Sequence, residues 1–144
     1  MRSSILALIV AAAAAAGSLA TVAAQQQIQK STVWAWTPED AKPNAWGAAR
    51  QVVRAPTPTL EELEIHISTL QPGKASHPPH QHPNEELIIV REGTLDTSQN
   101  GVIRRADTGA IIFHSSNDWH NVTNVGSTPA TYYVINWKSE RGSK

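Results

Sequence analysis

The sequence predicts an all-β protein, an antiparallel sandwich or jelly-roll barrel, and three observations support this fold class. Short segments alternate apolar and polar residues, as strands with one covered face do. Turn-forming residues, among them Asn100-Gly101 and the glycines at 73, 93 and 109, separate these segments at short intervals. No segment repeats its apolar residues convincingly with the helical period.

Residues 1–24 have the composition of a secretory signal peptide. One positive charge at Arg2 precedes the apolar stretch 5–16, and the small residues of 22–24 suit signal-peptidase cleavage. A retained membrane anchor is the alternative, because residues 3–29 carry no charge and are long enough to span a bilayer. Since alanine-rich sequence inserts weakly into membranes, cleavage is favoured. The sequence therefore predicts a periplasmic or secreted protein without membrane contact after cleavage.

The remaining composition fits one small domain. The chain has 144 residues, 12 basic and 12 acidic side chains, and no cysteine. This balance gives no basic surface for nucleic acid, and the lack of cysteine excludes a disulfide framework. We expect a leader and edge strands in 25–59, the barrel domain in 60–138 and a short tail in 139–144.

Nine short segments carry the strand signal. They are 33–36, 50–54, 60–70, 86–91, 94–97, 102–105, 110–114, 120–125 and 131–137. In segment 60–70, the apolar residues Leu63, Ile65 and Ile67 alternate with the polar residues Glu64, His66 and Ser68. We expect the apolar set to face the core and His66 to lie outside with its polar neighbours.

Three groups that can bind a metal ion precede and begin the predicted strand 86–91. His80 and His82 point the same way on an extended backbone, and Glu86 follows at an even spacing. Imidazoles and a carboxylate inside an apolar barrel are costly without a compensating cation. The spacing therefore indicates a divalent metal site, with a metal-free polar pocket as the alternative.

The chain resembles the cupin superfamily in two motifs, over about residues 60–137. The first motif has Gly73, six residues, His80-Gln81-His82, three residues, Glu86, six residues and Gly93. Its first spacer is one residue longer than the usual pattern. The second motif has Gly109, five residues, Ser115-Ser116-Asn117, two residues, His120, three residues and Asn124.

Two substitutions distinguish the second motif from the family pattern. Ser115 replaces a proline and Asn117 replaces a glycine. Asparagine tolerates the left-handed backbone conformation, so we expect the turn before His120 to keep its geometry.

The resemblance implies a jelly-roll barrel with His80, His82, Glu86 and His120 as ligands of one divalent metal ion. Iron or manganese is favoured, with zinc, nickel or copper as alternatives. It also implies a metalloenzyme, most commonly a dioxygenase or another oxidoreductase, that acts on a small oxygen-rich molecule. A non-catalytic periplasmic module that binds a small ligand or a metal is the alternative. Because such barrels commonly pair, we expect a homodimer.

Other residues near the motifs have open roles. Glu85 competes with Glu86 as the ligand, but the parity of the strand favours Glu86 and an outward Glu85. His77 is expected at the rim. His114 is the one candidate catalytic residue, as a hydrogen-bond partner behind the ligands or an acid–base group, with an outer-face position as the alternative.

Five tryptophans are many for a domain of this size. Trp34 and Trp36 share one predicted strand face and are expected to cover a sheet edge or a dimer contact. Trp119, next to His120, is the alternative candidate, as a stacking surface for a ring-shaped substrate.

Overall fold

The computed structural model describes residues 27–139, and within this range it forms two antiparallel β-sheets. The strands are β1 Lys42–Asn44, β2 Gly47–Ala55, β3 Glu62–Leu70, β4 Glu85–Glu92, β5 Thr94–Gln99, β6 Val102–Asp107, β7 Ile111–His114, β8 His120–Asn124 and β9 Ala130–Lys138, preceded by a 3-10 helix, Pro38–Asp40. The predicted all-β fold is confirmed. The predicted signal peptide, 1–24, and the tail beyond residue 139 lie outside the described residues. No helix within 27–139 has the length and apolar character needed to cross a bilayer.

The two sheets make up the jelly-roll barrel. The larger sheet has the strand order β1-β2-β3-β9-β4-β7, and the smaller one has the order β6-β5-β8. The segment between β3 and β4 connects the sheets, because Ala75 and His80 bridge to Thr123 and His120 of β8. This segment carries the histidines of the first motif, so the connection places them against the second motif.

The inward-facing side chains change from polar to apolar along the barrel. On β4, Glu86 lines a cavity, and Ile88 and Val90 continue inward as core residues. On β9, Asn136 lines the same cavity before Val134 enters the core. The core consists of Leu70, Ile88, Val90, Leu95, Ala106, Ile112, Val122, Ala130, Tyr132 and Val134. One end of the barrel is therefore a packed apolar core, and the other end is a polar cavity.

Two turns adopt the backbone conformations that the sequence predicts. Asn100 and Gly101 have φ values of 49° and 84°, which gives the tight hairpin between β5 and β6. Asn117 has a φ of 62°, so it takes the left-handed conformation that the family pattern assigns to glycine. The substitution therefore preserves the turn before His120.

The expected orientation of β3 is wrong. Glu64 and Ser68 are each only 2% exposed, and both line the cavity together with His66. Ile67 faces the other side and is also buried, at 4% exposure. Alternation fixes the period of a strand but not which face is interior, and here the polar face lines a polar cavity.

The strand expected at 33–36 is absent, since residues 32–37 have no regular structure. Residues 35–40 instead lie against the outer face of the larger sheet. Arg50 donates a hydrogen bond of 2.8 Å to the carbonyl of Ala35, and the guanidinium of Arg91 lies 4.9 Å from the ring centroid of Trp36. These polar and cation–π contacts replace the backbone pairing that a strand would need.

Candidate metal centre

The first and second motifs meet through a backbone pair between His80 and His120. The N–H of His80 donates to the carbonyl of His120 at 3.0 Å, and the N–H of His120 donates to the carbonyl of His80 at 2.8 Å. Their ring centroids are consequently 4.6 Å apart, and His82 lies 4.8 Å from His120 by the same measure. One ring nitrogen from each of these three histidines lies within 4.8 Å of the corresponding nitrogens of the other two.

Glu86 completes this cluster from the start of β4. It is 8% exposed, and its carboxylate oxygens lie 3.7 Å from Nε2 of His82 and 3.8 Å from Nε2 of His120. The structure therefore brings together all four residues that the family resemblance assigns as ligands, His80, His82, Glu86 and His120. A cluster of histidines and a carboxylate in this arrangement could hold a metal ion.

Backbone carbonyls hold the three histidines in one tautomer. The Nδ1 atoms lie 3.2 Å from the carbonyl of Pro78 for His80, 3.0 Å from that of Asn84 for His82, and 2.8 Å from that of Asp118 for His120. A carbonyl only accepts, so each Nδ1 carries the proton and each Nε2 keeps its lone pair. This is the tautomer that a metal ligand requires.

The Nε2 atom of His120 gives a direct test of whether a cation fits. His120 is 2% exposed, and its Nε2 has no hydrogen-bond partner among residues 27–139. A buried acceptor without a partner is unfavourable, and a cation between Nε2 and the Glu86 carboxylate would satisfy both groups. The residues present therefore fit a divalent metal ion.

His114 lies inside the barrel, directly behind Glu86. It is 1% exposed and pairs with Glu86 across β7 and β4. Its Nδ1 lies 2.9 Å from Oε1 of Glu86, and its Nε2 lies 2.9 Å from the hydroxyl of Thr97. Of the two expected positions, the interior one is therefore correct. Because both ring nitrogens already have partners, His114 supports the carboxylate and offers no free nitrogen to the cavity.

The electrostatics of the cluster favour an ionised carboxylate next to a neutral His120 ring. Burial alone raises the pKa of Glu86, but the hydrogen bond from His114 and the proximity of His82 outweigh burial and hold this pKa below its ordinary value. The Glu86 carboxylate in turn raises the pKa of His82. Burial lowers the pKa of His120, which keeps its ring neutral.

Glu85 occupies the opposite face of β4, as the parity of the strand predicts. Its Oε2 accepts a hydrogen bond of 2.8 Å from the indole N–H of Trp137. Glu86, rather than Glu85, is therefore the carboxylate of the cluster.

The cluster lies in a cavity of about 550 Å³. His77 is exposed and also lines it, with its ring centroid 5.2 Å from that of His80, which agrees with the expected position at the rim. Trp119 is 53% exposed, and its backbone N–H donates to the side chain of Asn100. Trp46, which carried no signal in the sequence, is the tryptophan that lines the cavity among the described residues.

A second polar group on the cavity wall was missed in the sequence. Glu64 accepts hydrogen bonds from Gln51 at 2.6 Å and from Asn136 at 3.0 Å, and its two oxygens each lie 3.0 Å from Nδ1 of His66. The signal in the sequence is the even spacing of Glu64, His66 and Ser68, although alternation alone favours the outer face for these polar residues. Gln51 and Asn136 come from other strands, and their part in this group depends on strand pairing.

Comparisons with known proteins agree with this architecture. The family model described as "Cupin domain" matches residues 66–136. No protein among the curated sequences matches the chain significantly. The plu4264 protein from Photorhabdus luminescens superposes with a TM-score of 0.61 and 17% identity, over 79% of this chain and 92% of that one.

Two further solved structures share the fold. A Cupin 2 conserved barrel domain protein from Salinispora arenicola has a TM-score of 0.60 and 18% identity, over 79% of this chain and 93% of its own. A sugar phosphate isomerase of the cupin superfamily from Silicibacter pomeroyi has a TM-score of 0.50 and 22% identity over 54% of this chain, and the match spans about half, 51%, of its length. The family model, the shared fold and the two motifs meeting in one cavity lead to one conclusion: the chain belongs to the cupin superfamily.

Proposed function

We propose that the cavity is the active site of a metal-dependent oxidoreductase, of the dioxygenase type, that acts on a small oxygen-rich molecule. The observation that carries this proposal is the buried, unpartnered Nε2 of His120, 3.8 Å from the carboxylate of Glu86, within the described residues. It supports one divalent ion held by His80, His82, Glu86 and His120.

The chain holds these ligand positions through its own hydrogen bonds. The carbonyls behind the three histidines fix their tautomers, and His114 fixes the Glu86 carboxylate. When bound, a divalent ion would supply Lewis-acid or redox chemistry at the positions that these four ligands leave open. The cavity beside the cluster is large enough for a small substrate.

Iron(II) or manganese(II) is the metal we favour. Both suit mixed nitrogen and oxygen ligands and can take part in reactions with dioxygen. Zinc, nickel and copper fit the same four residues, and they generally bind such ligands more tightly. The ion found after purification therefore need not be the one that supports activity.

A non-catalytic binding module is the second candidate. The observation that favours it is the engagement of both ring nitrogens of His114, which removes the one candidate acid–base group that we identified in the sequence. In this case the cavity would capture a small ligand or a metal ion without turning it over.

A test of both candidates begins with metal-depleted protein reconstituted with iron(II) or manganese(II) and analysed for bound metal. Oxygen consumption is then followed with panels of catechols, β-diketones and dicarboxylic acids. We expect one bound ion and turnover of one class, with both lost in His80→Ala and retained in Glu85→Gln. Stoichiometric metal without turnover would favour the binding module, and no bound metal would contradict both forms of the metal site.

We further propose that the protein is periplasmic or secreted and forms a homodimer. The apolar stretch at 5–16 supports export, and the protein isolated from the exported fraction should begin at Gln25. Exposed Ile103, Ile111 and Phe113 on the edge strands β6 and β7 support pairing. Light scattering of the purified protein tests the dimer.

A further inference from the structure

The second polar group of the cavity, Glu64, His66, Gln51 and Asn136, lies across the larger sheet from the metal cluster. In the strand register, Glu64 pairs with Asn136 of β9, and Asn136 pairs with Glu86 of β4. Glu64 is therefore two strands away from Glu86, which corresponds to about 10 Å between their backbones. A small molecule in the cavity can contact both groups.

The hydrogen bonds of Glu64 determine which atoms this group presents to the cavity. Its carboxylate only accepts, so His66 donates from Nδ1 and Asn136 donates from its amide nitrogen. Oδ1 of Asn136 is then left as an acceptor, and so is Nε2 of His66 in the neutral form of its ring. The Glu64 carboxylate is held as a charged acceptor: burial raises its pKa, but the hydrogen bonds from His66, Asn136 and Gln51, together with the proximity of the His66 ring, outweigh burial and lower this pKa.

Oδ1 of Asn136 shows that this group is not a closed structural network. This atom is buried and has no hydrogen-bond partner among residues 27–139, although the amide nitrogen of the same side chain is bonded to Glu64. A network whose role was only to stabilise the fold would satisfy its buried acceptors. The unpaired oxygen indicates that a donor from a bound molecule belongs there.

We propose that His66 Nε2 and Asn136 Oδ1 form a binding site for a hydroxyl group of the substrate, whose oxygen-rich end lies at the metal cluster. This inference rests on the proposed metal site. The amide oxygen of Asn136 is a neutral acceptor, and Glu64 is already occupied by its partners, so this end of the cavity suits a hydroxyl better than an ammonium group. The negative charge of Glu64 also disfavours a second carboxylate at this end. The substrate class that fits is a small polyhydroxy acid.

The test uses acids that share one metal-chelating group. Lactate, glycerate and threonate each carry a 2-hydroxy carboxylate, with no, one and two additional hydroxyl groups. Isoserine places an ammonium group where glycerate has its hydroxyl. Each acid is titrated into the purified, cobalt(II)-loaded protein, and the visible spectrum of the cobalt ion reports binding.

We expect glycerate or threonate to bind at least about tenfold more tightly than lactate, and more tightly than isoserine. In the double variant Glu64→Gln/His66→Phe, the preference for glycerate or threonate over lactate should fall below about threefold. The variant includes Glu64→Gln because His66→Phe alone would leave the Glu64 carboxylate without its histidine partner. His77→Phe, which removes a rim histidine of the same cavity, should retain it. Thermal unfolding confirms that each variant is folded.

The possible outcomes separate this inference from the proposed function. Equal binding of lactate and both polyhydroxy acids by the native protein would leave the metal site standing and overturn the hydroxyl site. A preference for isoserine would overturn the choice of a hydroxyl. If no acid changes the cobalt spectrum, the open metal site fails, and the hydroxyl site that rests on it fails as well.

Discussion

His80 and His120 exchange both of their backbone hydrogen bonds, at 3.0 and 2.8 Å, although they belong to different motifs of the chain. This pair means that the polypeptide backbone, rather than a metal ion alone, holds the two motifs together. A third bond, from the N–H of Asn117 to the carbonyl of His82, connects the same two loops. These backbone hydrogen bonds therefore position the ligand cluster through the fold itself.

A preassembled site should bind a metal ion without large rearrangement and should stabilise the folded state. At an ion concentration about 100 times Kd, linkage adds about 2.7 kcal/mol to the free energy of unfolding, which corresponds to an increase in Tm of about 10 °C. We expect this shift with manganese(II) or zinc(II), measured by circular dichroism. His120→Ala should abolish it and Glu85→Gln should keep it. If neither manganese(II) nor zinc(II) changes the Tm of the native protein, the proposed metal site is contradicted.

His114 should affect metal affinity without contacting the metal. Its Nδ1 donates to Glu86 at 2.9 Å, so His114→Phe leaves the carboxylate without its buried partner. We expect metal affinity to fall by about 10–100-fold, as is typical when a partner behind a ligand is removed. Isothermal titration with manganese(II) measures the change.

Thr97→Val is the matched control for this prediction. It removes the hydroxyl that bonds to Nε2 of His114 but leaves the bond to Glu86 in place. Its effect on metal affinity should therefore be smaller than that of His114→Phe. The reverse order would show that His114 does not act through Glu86.

The free energy of unfolding of the metal-free protein should decrease in acid. The pKa values of Glu64 and Glu86 both lie below the ordinary value of 4.5 in the folded state. Unfolded chains then bind these protons at higher pH than folded ones, so the stabilisation is present above about pH 4.5 and is lost as the pH falls through the folded-state pKa values. Urea unfolding between pH 6 and pH 3 measures this slope.

Glu64→Gln isolates one part of this acid sensitivity. The variant keeps the shape of the side chain but cannot ionise, so the decrease in unfolding free energy below about pH 4.5 should be shallower than in the native protein. If the free energy of unfolding decreases equally steeply with falling pH in both proteins, the pKa of Glu64 is not lower in the folded state than in the unfolded state.

The sequence predicts much of this fold because local rules determine its turns and strand periods. Asn100-Gly101 and Asn117 take the backbone conformations that their residue types favour. The even spacing of His80, His82 and Glu86 also predicts that their side chains point toward the same site. These features depend on neighbouring residues, so a single sequence is sufficient to find them.

The face of β3 and the second polar group depend on contacts between distant segments. Ile67 is buried on the outer face of the larger sheet. It pairs with Arg50 of β2, and residues 35–40 contact Arg50. Asn136 reaches Glu64 only because β9 pairs with β3. The alternation of apolar and polar residues along a strand determines neither which strand pairs with it nor which of its faces lines the cavity.

Gly93 should be intolerant of any side chain, because two separate constraints act on it. Its φ is 86°, and an added Cβ would lie 2.6 Å from the Cβ of Ala130 and 2.7 Å from its Cα. The left-handed conformation costs about 1–2 kcal/mol for alanine. Crowding against β9 adds about 1–3 kcal/mol. We expect Gly93→Ala to reduce the free energy of unfolding by about 3 kcal/mol in urea titrations.

Gly101→Ala separates these two constraints. Its φ of 84° is nearly the same, but nothing lies within 4 Å of an added Cβ, so only the backbone cost applies. The loss should be about 1 kcal/mol. The difference between the two variants then measures the contact between the start of β5 and the start of β9, which closes the apolar end of the barrel. Equal losses would mean that the barrel relaxes around Gly93 and that this end is less tightly packed than the structure indicates.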